Sequence, residues 1–421
     1  MQLLRRNARK EFSSLTLKCT LEALLRPAFI KSVRRYKAHA VAPPQPRALS
    51  GKSGHQVPKQ DVRMNSLPST SSIQSNVSAE STSMSIPPVI DIAPLICPDQ
   101  HTQEHRDQVI SQICQACETW GFFHVTSHGI PQQLQLDLQT QMRAFFLAAD
   151  PEIRESVRRT ASNSRGYADD ELTKQLKDSK QIFDVGEAPR FQNLPEDHPK
   201  NHVQDGYNQW PNREHLPEFK STVSSYFEAC THLCDILLGA VVESLGPGAR
   251  EVMTNAFEEH TSFLRLNYYP VVQKSAEGTT DKLGISRHTD SGAITVIMQD
   301  GTAALEVYSG SKQDACDGTW VPVDPVSGAL TINTGDMLMV WSNGRFKAPE
   351  HRVRAMTKVQ RYSAPYFYNP SYDAIVAPLT SWDQHQSPRY RPIVWGDFRR
   401  QRFAGDYSNL GKEIQIEDFL I

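Results

Sequence analysis

The chain has 421 residues, of which 39% are hydrophobic and 22% charged, and its formal net charge at pH 7 is −2. That length allows one large domain or two ordinary ones, each with its own core, and the near-neutral charge argues against a nucleic-acid-binding protein. No run of eighteen or more apolar residues occurs, so no membrane span is predicted. The seven scattered cysteines do not form a disulfide framework and favour a reducing compartment.

The N-terminal segment, residues 1–40, is basic. It holds ten Lys and Arg residues against two acids, Glu11 and Glu22. Arg residues beside Leu at helical spacings are typical of an organellar targeting peptide, more mitochondrial than plastid; a disordered basic arm or an incorrect start codon are the alternatives. The predicted location is therefore cytoplasmic or mitochondrial. Residues 41–86 are rich in Ser and Pro and are predicted to form a flexible linker.

Residues 87–260 mix helical and strand patterns. A short strand is predicted at 87–92 and another at 120–125, and apolar residues recur at helical spacing over 103–118, 132–149 and 217–245. Residues 164–167 and 181–186 have the composition of strand edges or ordered loops. We expect this region to brace a sheet formed by the following residues.

Residues 261–370 are rich in short β-type runs separated by Gly, Asp, Asn and Pro. Such spacing suggests a double-sheet jelly roll, so the predicted fold is mainly β with flanking helices. The predicted strands are 264–269, 293–299, 305–308, 320–323, 330–333, 337–341, 351–354 and 362–368.

The remaining residues, 371–421, are predicted to form a C-terminal extension or lid. They contain the basic cluster Arg399-Arg400-Gln401-Arg402. A charge run of this kind is more often a solvated face than an anion site, and we interpret it in that way.

The step His288-Thr289-Asp290 carries the clearest chemical signal. Residues at i and i+2 of a strand point to the same face, so His288 and Asp290 can bind one metal ion while Thr289 points away. His351, at the start of a later predicted strand, supplies a third ligand. Two histidines and one carboxylate form the facial set, with open coordination positions, that is typical of non-haem Fe(II) oxygenases. A chance match is the alternative for the isolated motif.

Arg361-Tyr362-Ser363 follows ten residues after His351. The same period of two places the guanidinium of Arg361 and the hydroxyl of Ser363 on one face, where they can hold a carboxylate. Asn267 and Tyr269 form a second such pair. A surface salt bridge is the alternative for Arg361 alone.

Together these motifs resemble the 2-oxoglutarate- and Fe(II)-dependent dioxygenases of the isopenicillin N synthase-like family. The similarity covers most of the folded body. Its N-terminal part is the segments 88–91, 116–123 and 127–130, where Ser127 replaces the usual Asn. Its catalytic part is Asn267-Tyr268-Tyr269-Pro270, His288-Thr289-Asp290, Asn333-Thr334-Gly335-Asp336, Ser342-Asn343-Gly344, His351-Arg352-Val353 and Arg361-x-Ser363.

The resemblance implies a double-stranded β-helix with His288, Asp290 and His351 as catalytic iron ligands. It implies that Arg361 and Ser363 hold the distal carboxylate of 2-oxoglutarate, supported by Tyr269 and Asn267. The implied cofactors are Fe(II), 2-oxoglutarate as co-substrate and O2, with ascorbate a further candidate. The implied activity is that of an oxidoreductase that most often hydroxylates a small organic molecule and releases succinate and CO2.

The substrate pocket is less well defined by the sequence. Continuing the inward face from Ser363 predicts Phe367 as a pocket wall, with ordinary core packing as the alternative. Tyr167, Phe183 and Asn208 lie in the less regular middle region and are candidates for the pocket opening, because loops over a rigid scaffold often carry recognition.

Two other functions stay open at this point. An Fe(II) oxidase of the same fold that does not use 2-oxoglutarate, as in isopenicillin N synthase, would share several of these motifs. A catalytically silent binding protein on the same scaffold is the other. In every case we expect a small-molecule ligand, no nucleic-acid partner and a monomer.

Overall fold

The computed structural model describes residues 86–173, 176–188, 193–195, 198, 206–273, 283–310, 318–379, 387–408 and 414–421. Side chains are described for these residues except 403–408. The predicted targeting segment 1–40 and all but the last residue of the predicted linker 41–86 lie outside this set.

The N-terminal region begins with a parallel strand pair and two amphipathic helices. Its elements are β1 (Val89–Asp91), α1 (Ala93–Ile96), α2 (Gln103–Thr119), β2 (Phe122–Thr126), α3 (Gln132–Arg143), a π-helical turn (Ala144–Ala148) and α4 (Pro151–Glu155). Thr102 caps α2 because its hydroxyl accepts a hydrogen bond from the His105 N–H. Cys114 and Cys117 are buried on the inner face of α2, so their packing there is structural. The predicted helices at 103–118 and 132–149 are confirmed.

Two further helices brace the sheet. They are α5 (Phe219–Ser244) and α6 (Ala249–Ala256), preceded by β3 (Gly166–Ala168), β4 (Leu172–Thr173), β5 (Leu176–Lys177) and β6 (Gln181–Gly186). By length and composition α5 could cross a membrane, but 56% of its most apolar window is buried inside the protein. Thr231 on α5 also hydrogen-bonds Tyr366 in the sheet at 2.6 Å. The helix is therefore part of the core, as its predicted bracing role requires.

Two sheets form the β-rich region. Its strands are β7 (Phe263–Tyr269), β8 (Ile285–His288), β9 (Ile294–Gln299), β10 (Leu305–Tyr308), β11 (Trp320–Pro322), β12 (Leu330–Thr334), β13 (His351–Val353) and β14 (Arg361–Tyr368). The larger sheet has the order β1-β2-β12-β9-β14-β7-β6-β3, and the smaller sheet has the order β11-β10-β13-β8.

Apolar side chains from both sheets form the core between them. This cluster includes Phe122, Tyr269 and Ile297 from the larger sheet and Leu305 and Val353 from the smaller one. The short β-rich runs of the sequence therefore form the predicted double-stranded β-helix.

One predicted strand is wrong. Residues 337–341 belong to a short helix, α7 (Asp336–Trp341), and nearly all of it is buried. A continuous apolar run has no period, so it fits a buried helix turn as well as a strand. Contacts at its start favour the helix, because the N–H groups of Gly335, just before it, and of Asp336, its first residue, donate to the carbonyls of Ala293 and Asp290 at 2.9 and 2.8 Å.

The C-terminal residues pack back against the β-rich region. They form β15 (Ile375–Val376), β16 (Ile393–Val394), α8 (Trp395–Ser408) and a 3-10 turn (Ile416–Phe419). The interpretation of the basic cluster on α8 as a solvated face is wrong for two of its three arginines. Arg399 and Arg402 are only 3% and 4% exposed, whereas Arg400 is exposed and pairs with Asp397.

Candidate metal and co-substrate site

The three predicted metal ligands converge at one end of the smaller sheet. His288 is the last residue of β8 and His351 the first of β13, and the two are paired directly across these antiparallel strands. The His-Thr-Asp step predicted a strand that contains both His288 and Asp290. The observed strand β8 ends at His288, and Asp290 lies two residues beyond it. Their potential ligand atoms all lie within 4.8 Å of one another.

Backbone carbonyls orient both imidazoles. His288 Nδ1 lies 2.8 Å from the carbonyl oxygen of Ser286, and His351 Nδ1 lies 3.1 Å from that of Pro349. Only a protonated Nδ1 can donate to a carbonyl, so each Nε2 keeps its lone pair for a metal. The Nε2 atoms of His288 and His351 lie 3.8 and 3.6 Å from Asp290 Oδ1.

The carboxylate of Asp290 is oriented by its other oxygen. Asp290 Oδ2 accepts hydrogen bonds from Thr295 Oγ1 at 2.6 Å and from Asn333 Nδ2 at 2.8 Å. The backbone is fixed as well, because Gly335 approaches so closely that a Cβ atom there would lie 2.7 Å from the Asp290 carbonyl oxygen. This close approach explains the glycine of the Asn333–Asp336 motif.

The electrostatics keep His288 and Asp290 in their metal-binding protonation states. Burial, followed by the adjacent His351, lowers the pKa of His288 to about 3, so its imidazole is neutral near pH 7. Burial opposes ionisation of Asp290, but the two imidazoles and the hydrogen bonds from Asn333 and Thr295 lower its net pKa. A neutral imidazole at His288 and an ionised carboxylate at Asp290 suit a divalent cation.

Arg361 is the first residue of β14 in the larger sheet, and it is 1% exposed. Its Nε donates to the Thr302 carbonyl at 3.2 Å and its Nη2 to Gln299 Oε1 at 2.9 Å. Its buried Nη1 has no hydrogen-bond partner among the described residues. An unsatisfied buried guanidinium nitrogen is costly, and a carboxylate group would satisfy it.

The residues predicted to support Arg361 are its cross-strand neighbours. β14 pairs with β7 so that Arg361 lies opposite Tyr269, and Ser363 opposite Asn267. Asn267 Nδ2 donates to Ser363 Oγ at 3.3 Å, and the Arg361 guanidinium carbon lies 5.0 Å from the centre of the Tyr269 ring. All four predicted co-substrate residues therefore form one buried group.

Comparisons with known proteins agree with this geometry. A family model described as the 2OG-Fe(II) oxygenase superfamily matches residues 260–370, and one described as the non-haem dioxygenase in morphine synthesis N-terminal region matches residues 87–213. Homoarginine-6-hydroxylase 2-ODD-C23 of Glycine max is 30% identical over 346 residues, which are 78% of this chain and 99% of the relative.

The chain belongs to the 2OG-Fe(II) oxygenase superfamily.

Two further similarities extend over most of the described body. The 2-oxoglutarate-Fe(II) type oxidoreductase hxnY of Emericella nidulans is 29% identical over 76% of this chain and 90% of its own. The crystal structure of a full-length Neurospora crassa protein in complex with alpha-KG and 5-formyluracil has a TM-score of 0.63 and 25% identity, covering 75% of this chain and 95% of that one.

The site meets the requirements of the iron and 2-oxoglutarate of this superfamily. Its donor set is the facial one, and the unpartnered Nη1 of Arg361 offers the charge-assisted hydrogen bond that a carboxylate needs. Asn267 Oδ1 is also buried without a described partner. The same amide donates through Nδ2 to Ser363 Oγ, and a bound molecule or water would satisfy its oxygen.

A cavity adjoins the metal ligands. It is lined by residues from β4, β7, β14 and α8 as well as by His288 and Asp290. Phe367 lines it, where the period-two extension from Ser363 placed this residue, and Asn267 lies at its boundary.

The other candidate pocket residues lie elsewhere. Phe183 is fully buried among the aromatic rings of Phe145, Phe219 and Trp210, and Tyr167 packs against Phe145. Asn208 exchanges hydrogen bonds with the backbone of Gly186 at 2.8 and 3.1 Å. None of the three is among the described residues that line the cavity. Their part in substrate recognition stays a prediction.

Several residues of the site were not identified from the sequence. Thr295 and Asn333 hold Asp290, and Arg265, Lys180, Arg399 and Arg402 line the cavity. The period-two stripe that contains Asn267 and Tyr269 also contains Arg265 and Phe263, so this signal was present in β7. Tertiary packing brings Lys180 and the arginines of α8 to the cavity; no local pattern marks Lys180, and the basic cluster that contains the arginines does not show that two of them are buried.

Proposed function

We propose that this protein is an Fe(II)- and 2-oxoglutarate-dependent dioxygenase that hydroxylates a small organic molecule and releases succinate and CO2. The observation that carries the proposal is the convergence of His288, Asp290 and His351 on one facial ligand set, in a protein that also buries Arg361 with an unsatisfied Nη1. The names of similar proteins support it, since one relative is named a hydroxylase and a similar solved structure holds alpha-KG with 5-formyluracil.

Each side chain has a distinct task in this proposal. His288, Asp290 and His351 hold the iron and leave its other coordination positions open. When bound, the iron with 2-oxoglutarate and O2 supplies the oxidative chemistry. Arg361 binds the distal carboxylate of 2-oxoglutarate. Ser363 and Asn267 position this carboxylate from the same face of the sheet.

The surrounding protein controls orientation and water. The Ser286 and Pro349 carbonyls fix the imidazole tautomers, so the three ligand atoms are preorganised before metal binding. Tyr269 and Phe122 pack against the site, with the Phe122 ring edge-on to His351 at 5.4 Å between centroids. These apolar contacts exclude water from one side of the reacting centre.

The test is a metabolite screen for substrate-dependent succinate formation by the full-length protein with Fe(II), 2-oxoglutarate and O2. We expect succinate release to require all three and to rise with at least one small molecule. Oxidation of a substrate without succinate would instead assign an oxidase that does not use 2-oxoglutarate. Failure to bind Fe(II) anaerobically would assign a silent binding protein.

A further inference from the structure

Among the described residues, only uncharged groups accept hydrogen bonds from the Arg361 guanidinium. We propose that Gln299 is a positioning residue, which fixes this guanidinium without neutralising its charge, so that the charge meets the distal carboxylate of 2-oxoglutarate. This inference deepens the proposed function and depends on it, because an uncharged anchor matters only if Arg361 binds that carboxylate.

Gln299 and Arg361 lie on one face of the larger sheet. Gln299 is the last residue of β9, and it is paired across the strands with Ser363 of β14. Arg361 is two residues from Ser363, so all three side chains point to the same face. Gln299 Oε1 accepts a hydrogen bond from Arg361 Nη2 at 2.9 Å, and the Thr302 carbonyl accepts one from Nε at 3.2 Å. The two bonds hold the planar guanidinium in one orientation.

The Gln299 amide is itself fixed by two acceptors. Its Nε2 donates to the Val323 carbonyl at 3.3 Å and to Thr331 Oγ1 at 3.1 Å. A carbonyl oxygen only accepts, so the amide nitrogen must be on that side and the amide oxygen must face Arg361. Thr331 is 3% exposed, and its hydroxyl lies 3.2 Å from His124 Nδ1. The amide is therefore anchored in the buried part of the sheet.

The acid that follows Gln299 in the chain is engaged elsewhere. Asp300 Oδ1 accepts a hydrogen bond from the Thr302 N–H at 2.9 Å, and its Oδ2 accepts one from the Tyr362 N–H at 2.7 Å. Backbone groups thus hold both oxygens, and this carboxylate does not pair with Arg361. The same bonds fix the turn that presents the Thr302 carbonyl to Arg361.

These uncharged contacts leave the charge of Arg361 for a ligand. Its Nη1 is buried without a partner among the described residues. The Tyr269 ring centre lies 5.0 Å from the guanidinium carbon, and an aromatic ring attracts a cation without neutralising it. A carboxylate in place of the Gln299 amide would have the same shape but would pair with Arg361 and compete with the bound dicarboxylate. Glutamine therefore combines orientation with an unpaired charge.

The experiment compares two 2-oxoacids that differ only at the end distant from the oxo group. Full-length protein with Fe(II) is titrated anaerobically with 2-oxoglutarate and with 2-oxopentanoate, in which a methyl group replaces the distal carboxylate. Isothermal calorimetry gives both affinities without turnover, and their ratio is the distal-carboxylate preference. We expect wild type to bind 2-oxoglutarate about a hundredfold more tightly than 2-oxopentanoate.

Three variants test whether Gln299 controls this preference. Gln299→Glu is expected to reduce it to about tenfold or less, because the new carboxylate pairs with Arg361. Gln299→Met has a similar length and adds no charge, and the loss of the acceptor is expected to reduce the preference roughly threefold to tenfold. Gln360→Glu is the matched control, since the partly exposed Gln360 amide accepts a hydrogen bond from the Tyr268 hydroxyl and not from Arg361. It is expected to keep the preference within about threefold of wild type.

A purely structural role of Gln299 would weaken the binding of both oxoacids alike and leave their ratio unchanged. An undiminished preference in a folded Gln299→Glu or Gln299→Met variant would therefore overturn the inference, and so would equal losses of preference in Gln299→Glu and Gln360→Glu. Fe(II) affinity is measured in the same series and should be unchanged, because the metal ligands are intact. Equal binding of the two oxoacids by wild type would instead count against the proposed function itself.

Discussion

At the scale of single residues, Asp290 divides its carboxylate between the metal and the protein. Oδ1 faces the two Nε2 atoms, while Oδ2 accepts hydrogen bonds from Thr295 and Asn333. An oxygen held twice in this way cannot rotate to the metal. The two polar neighbours therefore determine which oxygen is the ligand, although neither contacts the metal.

Replacing Thr295 with Val removes one of these hydrogen bonds while preserving the side-chain shape. We expect the Fe(II) affinity to fall about tenfold, because partners of ligand side chains typically contribute 10- to 100-fold in metal affinity. Anaerobic equilibrium titration measures it. Thr331→Val is the matched control, since Thr331 is a buried threonine of β12 that hydrogen-bonds Gln299 and His124. Equal losses of affinity in the two variants would exclude a specific role for Thr295.

Replacing Arg361 with Gln should separate co-substrate binding from metal binding. The charge-assisted bond to the carboxylate is lost, and we expect 2-oxoglutarate affinity to fall roughly a hundredfold, equivalent to about 2.7 kcal/mol. Fe(II) affinity should stay unchanged. Arg354→Gln, at a half-exposed arginine paired with Glu306, is the control. Wild-type 2-oxoglutarate affinity in Arg361→Gln would move the co-substrate site elsewhere.

At the scale of elements, the sequence predicts features that depend on local periodicity better than features that depend on tertiary contacts. In β7 and β14 the period of two predicted that Asn267 shares a face with Tyr269, and Arg361 with Ser363, whereas the pairing between the two strands comes from the structure. α7 could not be predicted in this way, since its apolar run has no period and its helical form depends on contacts with residues 290–293. The burial of Arg399 and Arg402 likewise depends on the packing of α8 against the loop after β8.

A cluster of ion pairs beside the cavity connects the residues around β4 and β5 with β6 and β7. Its members are Glu171, Asp178, Asp184, Arg159, Lys180 and Arg265, and the exposed Asp170 also pairs with Arg159. Glu171 lies at its centre, within 3.2 Å of nitrogen atoms from Arg159, Lys180 and Arg265. Burial disfavours its charge, but the three cations prevail and lower its net pKa. Breaking such a buried cluster leaves charges without compensation.

Glu171→Gln is therefore expected to lower the free energy of unfolding at pH 7 by about 3–5 kcal/mol. Urea denaturation measures this loss. Because the folded-state pKa of Glu171 is lowered, its stabilisation is present above the unfolded pKa of about 4.3 and is lost as the pH falls below that value. The difference in the free energy of unfolding between Glu171→Gln and wild type should then become smaller at acidic pH. Glu155→Gln, which breaks an exposed ion pair with Arg158, is the control. It should change the free energy of unfolding little at pH 7 or in acid.

At the scale of the whole molecule, several elements surround the metal ligands. The ligands lie at one end of β8 and β13 in the smaller sheet, and β7 and β14 of the larger sheet and the C-terminal helix line the adjoining cavity. Four separate parts of the chain, β7, the end of β8, β13 and β14, contribute predicted ligands or co-substrate contacts, so the site exists only in the folded protein. Iron and 2-oxoglutarate must then stabilise the native state by mass action.

Removing the metal should consequently lower the melting temperature. At ligand concentrations a hundred times Kd, the lost stabilisation is about 2.7 kcal/mol. Differential scanning calorimetry under anaerobic conditions, with and without a chelator, measures the shift. In Asp290→Ala the chelator should have no effect, and an equal shift in that variant would place the stabilising metal at another site.

The central claim is that His288, Asp290 and His351 hold one catalytic iron. Anaerobic titration of Fe(II) into wild type, Asp290→Ala and His351→Ala, followed by assay of succinate in air, tests it most directly. We predict one equivalent of iron and succinate formation for wild type, and loss of both in each variant. Iron binding with wild-type affinity and full succinate formation by either variant would contradict the assignment.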